Sequence, residues 1–265
     1  MSTCPGEVGS VASGLSHSHR VMEPGDAAGP ALSLVVPVHN EEQNLPILVA
    51  EVAAACHGIT WEMIVVDDAS TDASRAVARR VAASYPPVRV ISLAARGGQS
   101  AALCAGLDEA RGDLVATLDA DLQNDPADLP TLVHAVRTGR CDAAVGVRVR
   151  RAASWWRRTQ SRIANGVRNL ITGDVVRDTG CSLRVIRRAF VLTLPRFDGM
   201  HRFVPTLLRH AGARVLEIPV HDRPRHWGKS KYGMWNRVFA GLRQALAVRR
   251  MLQHPPVRSL ERPVR

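Results

Sequence analysis

The chain has 265 residues, 46% of them hydrophobic, which is enough for one large α/β domain or two small ones with a proper core. No run of about 18 apolar residues occurs, so no transmembrane helix is predicted, and the N-terminus lacks the basic start and apolar centre of a secretory signal. The formal net charge of +11 is almost all arginine, concentrated after residue 136, and points to a polyanionic partner: nucleic acid, an anionic membrane surface or a phosphorylated substrate.

Residues 1–30 are rich in Gly, Ser, His and Pro without periodicity and are predicted to be a disordered leader. From Ala31, ALSLVVP is a continuous apolar run suited to a buried parallel strand. Pro37-Val38-His39-Asn40-Glu41-Glu42 breaks it, and Asn40 is the expected cap of a helix over Glu41–His57. WEMIVVDDAS is a second strand ending in paired aspartates, and the segment from Ser70 is predicted to be a capped amphipathic helix. VRVISL (88–93) is a third strand, ARGGQS a loop, and AALCAGLDEARG a helix closed by Gly112. LVATLD (114–119) is the fourth strand, DPADLPTLVHAVRTG a helix ending at Gly139, and CDAAVGVR (141–148) the fifth strand.

Beyond Arg148 the pattern changes. SWWRRTQSRIANGVRNLITG reads as basic and helical, and VVRDTGCSLRVIRRAFVLTL as a turn, a short strand and a helix start. MHRFVPTLLRHAG is a predicted helix, ARVLEIPVHDRP a strand, HWGKSKYG a glycine-rich basic loop, and Met234–Leu252 the last helix, followed by a basic tail over 253–265. Five cysteines (Cys4, Cys56, Cys104, Cys141, Cys181) make no CxxC pair and are expected to be reduced, in a cytoplasmic protein. Cys181, beside apolar Leu183, reads as packing.

Strand–helix alternation with short connections argues for an α/β fold with a doubly wound, mainly parallel sheet. Ligands bind such sheets where the carboxyl ends of strands open into a crevice. His39, Asn40 and Glu41, the Asp67-Asp68 pair, Gly97-Gly98 and Asp119/Asp121 all follow strands. In a strand, Asp119 and Asp121 share a face, and two hard carboxylates there suit Mg²⁺ or Mn²⁺. Neither GxGxxG after the first strand nor GxxxxGK[ST] is present, so a dinucleotide fold or P-loop is not supported.

Together LSLVVPVHNEEQNL, EMIVVDDASTD, ARGGQSAALCAGLDEARGD, VATLDADLQNDP, DTGCSLRVIRR and VLEIPVHDRPRHWGKSKYG resemble the family-2 glycosyltransferases, specifically the polyprenyl-phosphate (dolichol-phosphate) mannose and glucose synthases. The resemblance covers roughly residues 31–252. It implies a GT-A fold over 31–233 and a nucleotide-diphosphate-sugar donor. It places Pro37, His39, Glu41, Asp67, Asp68 and Gln99 around the nucleotide, with His39 where the family often has tyrosine. It assigns Asp119, Ala120, Asp121 and Gln123 to the metal and diphosphate motif, Asp119, Asp121 and Gln123 being the metal ligands.

A lipid phosphate acceptor arrives anionic and needs orientation by cations more than a base, so arginines are nominated for the acceptor side. The resemblance assigns Arg148, Arg157 or Arg158, and the R-x-x-G-x-S-K loop with Arg225, Ser230 and Lys231. With Asp121, the residues nominated as catalytic are Arg148, Arg158 and Arg225. A hydroxyl acceptor would instead require a general base, for which Asp178 is the nearest candidate by motif. Trp155 and Trp156 beside arginines, and the Met234–Leu252 helix with Arg237, Arg243, Arg249 and Arg250, suit either an anionic membrane surface at the inner face or ordinary domain packing. Nucleic-acid binding is opposed by two tyrosines, four phenylalanines and no recognisable motif.

Overall fold

The computed structural model describes residues 29–148, 166, 169–224 and 234–253, the last stretch with side chains from Arg243 onward. Nearly all of the predicted leader, Trp155–Arg158, the Arg225–Lys231 loop, the side chains of Trp235, Arg237, Val238, Phe239 and Leu242, and the tail after Gln253 lie outside the described residues.

The chain runs β1 (Leu32–Val38), α1 (Asn44–Ala55), β2 (Trp61–Asp67), α2 (Ser74–Ser84), β3 (Val88–Ser92), α3 (Gly98–Glu109), β4 (Leu114–Thr117), α4 (Leu129–Arg137) and β5 (Ala143–Arg148). It continues through β6 (Arg184–Arg187), α5 (Arg188–Val191), α6 (Val204–His210), β7 (Val215–Val220) and α7 (Met234–Gln253), with 3₁₀ turns at Pro126–Asp128 and Met200–Arg202. Among the described residues seven strands form one sheet in the order β3-β2-β1-β4-β6-β5-β7. Strands β1 to β4 pair in parallel, β6 runs antiparallel to both β4 and β5, and β5 and β7 are parallel again. The mainly parallel expectation therefore holds with one reversed strand, β6, in its interior.

Each strand feeds two cores because its side chains alternate. Leu32, Leu34, Val36 and Val38 face one layer with Leu45 of α1, Val77 of α2 and Leu132 of α4. Val35 faces the other, with Leu103 of α3, Val191 of α5, Val204 of α6 and Val248 of α7. Helix α3 lies tightly on the sheet: a Cβ added at Gly106 would stand 2.3 Å from Val35 Cγ1, so a side chain there has no room. At the amino end of the sheet, Ser33 Oγ donates to Glu62 Oε1 at 2.6 Å, and Arg89 Nε donates to Glu62 Oε2 at 3.0 Å. Burial pushes the Glu62 carboxyl up, but the bonds from Ser33, the Arg111 amide and Arg89 outweigh it and hold it below the usual range.

Two local expectations change. Asn40 does not cap α1, which starts at Asn44 after Gln43 with no side-chain cap bond. Asn40 instead has a left-handed backbone (φ 58°), and its Nδ2 donates to Thr71 Oγ1 at 3.0 Å. Strand β4 ends at Thr117, so Asp119 and Asp121 occupy the turn that follows rather than one face of a strand. That turn is set by Leu122 (φ 60°), as the β2 exit is by Ala69 (φ 48°). Three adjacent strands thus leave the sheet through non-glycine residues in a conformation that L side chains rarely adopt.

Candidate active site

The carboxyl ends of β1 and β2 form one wall of a crevice. His39 Nδ1 is 2.8 Å from the Asp68 carbonyl oxygen, and the Glu41 amide donates to Ser74 Oγ at 2.7 Å. Asn44 Nδ2 donates to Glu41 Oε2 at 2.5 Å. The paired aspartates separate completely. Asp67 is fully buried, accepts from Arg75 Nε at 2.9 Å and from the Ser70 amide at 3.1 Å, and points away from the crevice lining. Burial works against its charge, but Ser70 and Arg75 hold its carboxyl below the ordinary range. Asp68 faces the crevice and accepts from the Gly97 and Gly98 amides at 2.7 and 2.9 Å. It thereby ties the end of β2 to the start of α3, where Gly98 has φ 83°.

The acidic turn after β4 closes this crevice, a space of about 190 Å³, opposite Pro37, His39 and Glu41. Gln99 Nε2 donates to Asp119 Oδ1 at 2.7 Å, and the Gln123 amide donates to Asp121 Oδ1 at 3.2 Å. Burial, then the neighbouring Asp121 charge, raises the Asp119 carboxyl to about 6. Pro37, Gln99 and Asp119 are shared with a second, larger cavity of about 450 Å³. The acidic turn is the ridge between the two.

The larger cavity is polar and cationic. Arg148 projects from the end of β5 and is gripped by Asp178, which accepts from Nε at 2.8 Å and Nη2 at 3.0 Å. Burial works against this charge, but the Asp178 bonds more than offset it and raise the guanidinium above its ordinary value. Asp178 also accepts from the Gly180 amide at 3.1 Å, so it shapes the turn and orients Arg148. Arg184 opens β6 directly opposite Thr117 of β4 and lines the same cavity while only 3% exposed. His201 lies in the 3₁₀ turn, its Nδ1 2.6 Å from Ser100 Oγ. Burial, with Arg202 and Arg184 close by, lowers its imidazole to about 3, so it is neutral at physiological pH.

Residues 33–194 match the family described as Glycosyl transferase family 2. The chain belongs to that family. It is 40% identical over 223 residues to a dodecaprenyl-phosphate galacturonate synthase of Rhizobium johnstonii, covering 82% of this chain and 66% of that protein. It is also 40% identical over 211 residues to an undecaprenyl-phosphate 4-deoxy-4-formamido-L-arabinose transferase of Edwardsiella ictaluri, covering 78% and 64%. The chain thus spans just under two thirds of the length of these curated relatives. A crystal structure of Mycobacterium tuberculosis glucosyl-3-phosphoglycerate synthase with Mn²⁺, UDP and phosphoglyceric acid superposes with TM-score 0.64 at 21% identity, covering 86% of this chain and 80% of that one. The fold is GT-A.

In this family member the structure brings Pro37, His39, Glu41, Asp68, Gln99, Asp119, Ala120 and Asp121 around one crevice. Gln123 and Arg148 line the adjoining cavity. Asp67 is not among them. Arg158, Arg225, Ser230 and Lys231 lie outside the described residues. Sequence reading missed Ser182, Arg184, His201 and Arg202. Of these, only Arg184 carried a signal, as a charged residue inside the apolar run SLRVI. Cys181 is buried and its thiol is pushed up to about 11 by burial, which fits packing and not nucleophilic attack.

Proposed function

We propose that this chain moves a hexose from a nucleotide-diphosphate sugar to a polyprenyl phosphate, inverting the anomeric carbon, with Mg²⁺ or Mn²⁺ as cofactor. The observation that carries the reading is the position of Asp119–Asp121 as a ridge between the Asp68 crevice and the arginine-bearing cavity. A donor laid across the ridge places its nucleoside in the first space and its sugar in the second. The names of the two polyprenyl-phosphate relatives support an acceptor of that class.

The ridge fits a divalent cation. Two carboxylates are crowded there, and the Asp119 carboxyl is raised first by burial and then by the Asp121 charge, both of which a cation offsets. Among the described residues no cluster of three or more His, Cys, Asp or Glu side chains surrounds a single point, so Asp119 and Asp121 would share the ion with Gln123 and donor oxygens. When bound, the ion supplies neutralisation of the charge on the leaving nucleoside diphosphate.

The protein's own groups do the rest. Asp68, Gly97 and Gly98 fix the crevice against which the nucleoside lies, with His39 and Glu41 on the opposing strand end. Arg148, preoriented by Asp178, faces incoming phosphate oxygens. Asp178 is held by Arg148, and burial, with Arg202 and Arg184, lowers His201 to about 3, which makes its imidazole a weak base. Neither is poised to take a proton from a hydroxyl, which favours an acceptor that arrives already anionic.

A peripheral site on an anionic membrane at its inner face completes the reading. Among the described residues no helix is long and apolar enough to cross a membrane. On α7, Ala245 and Val248 are buried against the domain, which supports packing for that face. Leu246 and Met251 are exposed beside Arg243, Arg249 and Arg250 and supply an apolar and cationic outer face. The test is transfer from a panel of nucleotide sugars to a short polyprenyl phosphate with Mg²⁺ or Mn²⁺, with Asp121→Ala as control. Undiminished transfer by that variant would remove the metal assignment, and transfer only to hydroxyl acceptors would replace the acceptor.

A further inference from the structure

The acidic turn is held from outside by the chain that leaves β7. After Val220, residues 221–223 form a short arm along the exit of that turn. The Arg223 amide donates to the Gln123 carbonyl at 2.8 Å, and Asp222 and Asn124 make an isolated antiparallel bridge. The Arg223 guanidinium then forks. Its Nη1 donates to the two Glu51 oxygens on α1 at 2.9 and 2.8 Å, while Nη2 and Nε meet Asp125 at 2.7 and 3.2 Å. One planar cation thus ties three separate stretches of chain together, which the single charged nitrogen of a lysine does not reproduce.

What the arm holds is a strained piece of backbone. Leu122 is left-handed between Asp121 and Gln123, and a leucine stays so only where its surroundings over-determine it. On the cavity side, the Asp119 amide donates to Ser182 Oγ at 3.1 Å, and Ser182 Oγ donates to Asn124 Oδ1 at 2.8 Å. On the outer side, the contacts are those of the arm and the Arg223 fork. With that fork removed, Leu122 is freer to return to an ordinary conformation, and such a change redirects Asp121 and Gln123 relative to Asp119.

We propose that Arg223 is a positioning residue for the cation site: by gripping Glu51 and Asp125 it keeps the Leu122 turn in its strained form, with Asp119, Asp121 and Gln123 arrayed for a divalent ion. Arg223 lines neither cavity and acts through the turn alone. The inference rests on the metal assignment made above and adds a residue that builds the site. Simple electrostatics predicts the opposite sign. Removing Arg223 leaves Glu51 and Asp125 unneutralised, and added negative charge near the ridge favours a cation.

The test is calorimetric binding of UDP and of GDP to the full chain, each measured with Mn²⁺ and again with EDTA. The quantity read is the gain in affinity that Mn²⁺ supplies. Arg223→Ala should cut that gain about tenfold, the size of one strained residue's energy, and leave the affinity in EDTA unchanged. Arg223→Lys keeps the charge but not the fork and should stay weakened. Arg214→Ala, which breaks the exposed pair with Asp142 at the amino end of β5, should leave the gain as in the parent. If Arg223→Ala fails to fold, Glu51→Gln loosens one anchor from outside the turn and should cut the gain about threefold. An unchanged or larger gain in the folded variant overturns the proposal, as does an equal loss in EDTA or in Arg214→Ala. A parent whose nucleotide affinity does not respond to Mn²⁺ overturns the metal assignment and this inference with it. A parent that binds neither nucleotide overturns the donor reading as well.

Discussion

The two halves of the sheet handle charge in opposite ways. In the β1–β2–β3 half, buried carboxylates are each matched by an arginine or by amides: Asp67 by Arg75, Glu62 by Arg89 and Ser33, Asp68 by Gly97 and Gly98. In the β5–β6–β7 half, Arg148 is held by Asp178, but Arg184 is buried with an unfilled donor. The acidic turn after β4 divides them. The first side pairs its buried charges within the fold, and the second leaves one guanidinium nitrogen without a partner among the described residues.

The largest break of that contrast is at the ridge. Asp121→Ala should lower transfer by about 10²- to 10³-fold, as loss of one preorganised transition-state stabiliser does, while circular dichroism melts stay close to those of the parent. Next is the clamp on the basic side. Asp178→Asn leaves Arg148 buried beside a neutral amide, and chemical denaturation should show a loss of about 3 kcal/mol with reduced transfer. Were that variant as stable as the parent, the pair would not be the organiser of this half.

On the acidic side, Glu62→Gln should cost about 2 kcal/mol, because one partner of a buried network is removed. The pH dependence sharpens this. The folded Glu62 carboxyl lies below its unfolded value, so its stabilisation is present above about pH 4.3 and is lost as the pH falls through the lowered value. Stability-versus-pH curves of Glu62→Gln should therefore be flatter on the acid limb than those of the parent. The smallest effect is expected at Asp68→Asn. It keeps the shape but weakens acceptance from the Gly97 and Gly98 amides, and nucleotide affinity should fall about tenfold, or about 1.4 kcal/mol, with little change in melting.

The parallel half was legible because ALSLVVP and MIVV are short, β-branched apolar runs suited to strands buried on both faces. The reversed β6 was harder. RVIR is four residues long, starts and ends in arginine, and gives no sign of which neighbours it pairs with. Asp67 and Asp68 are adjacent in sequence, and only the tertiary placement of Arg75 and the Gly97 loop decides which one faces ligand. Arg184 and His201 were hidden among many arginines and histidines, since only the tertiary fold brings Arg184 into the cavity and His201 beside Ser100. The Asp119–Asp121 motif was recognised through its residues, yet its presentation by a turn with Leu122 left-handed was not readable from strand periodicity.

The three left-handed exits carry a consequence for how this sequence is free to vary. Asn40, Ala69 and Leu122 each come directly after a residue of the site, His39, Asp68 and Asp121. Each costs on the order of 1 kcal/mol in backbone energy, so valine or isoleucine at any of them would be resisted although no ligand contact is at stake. Drift at these places is steered by handedness and not by chemistry. An engineer who alters the ligand preference of this crevice therefore inherits three fixed points in the backbone before choosing a single new side chain.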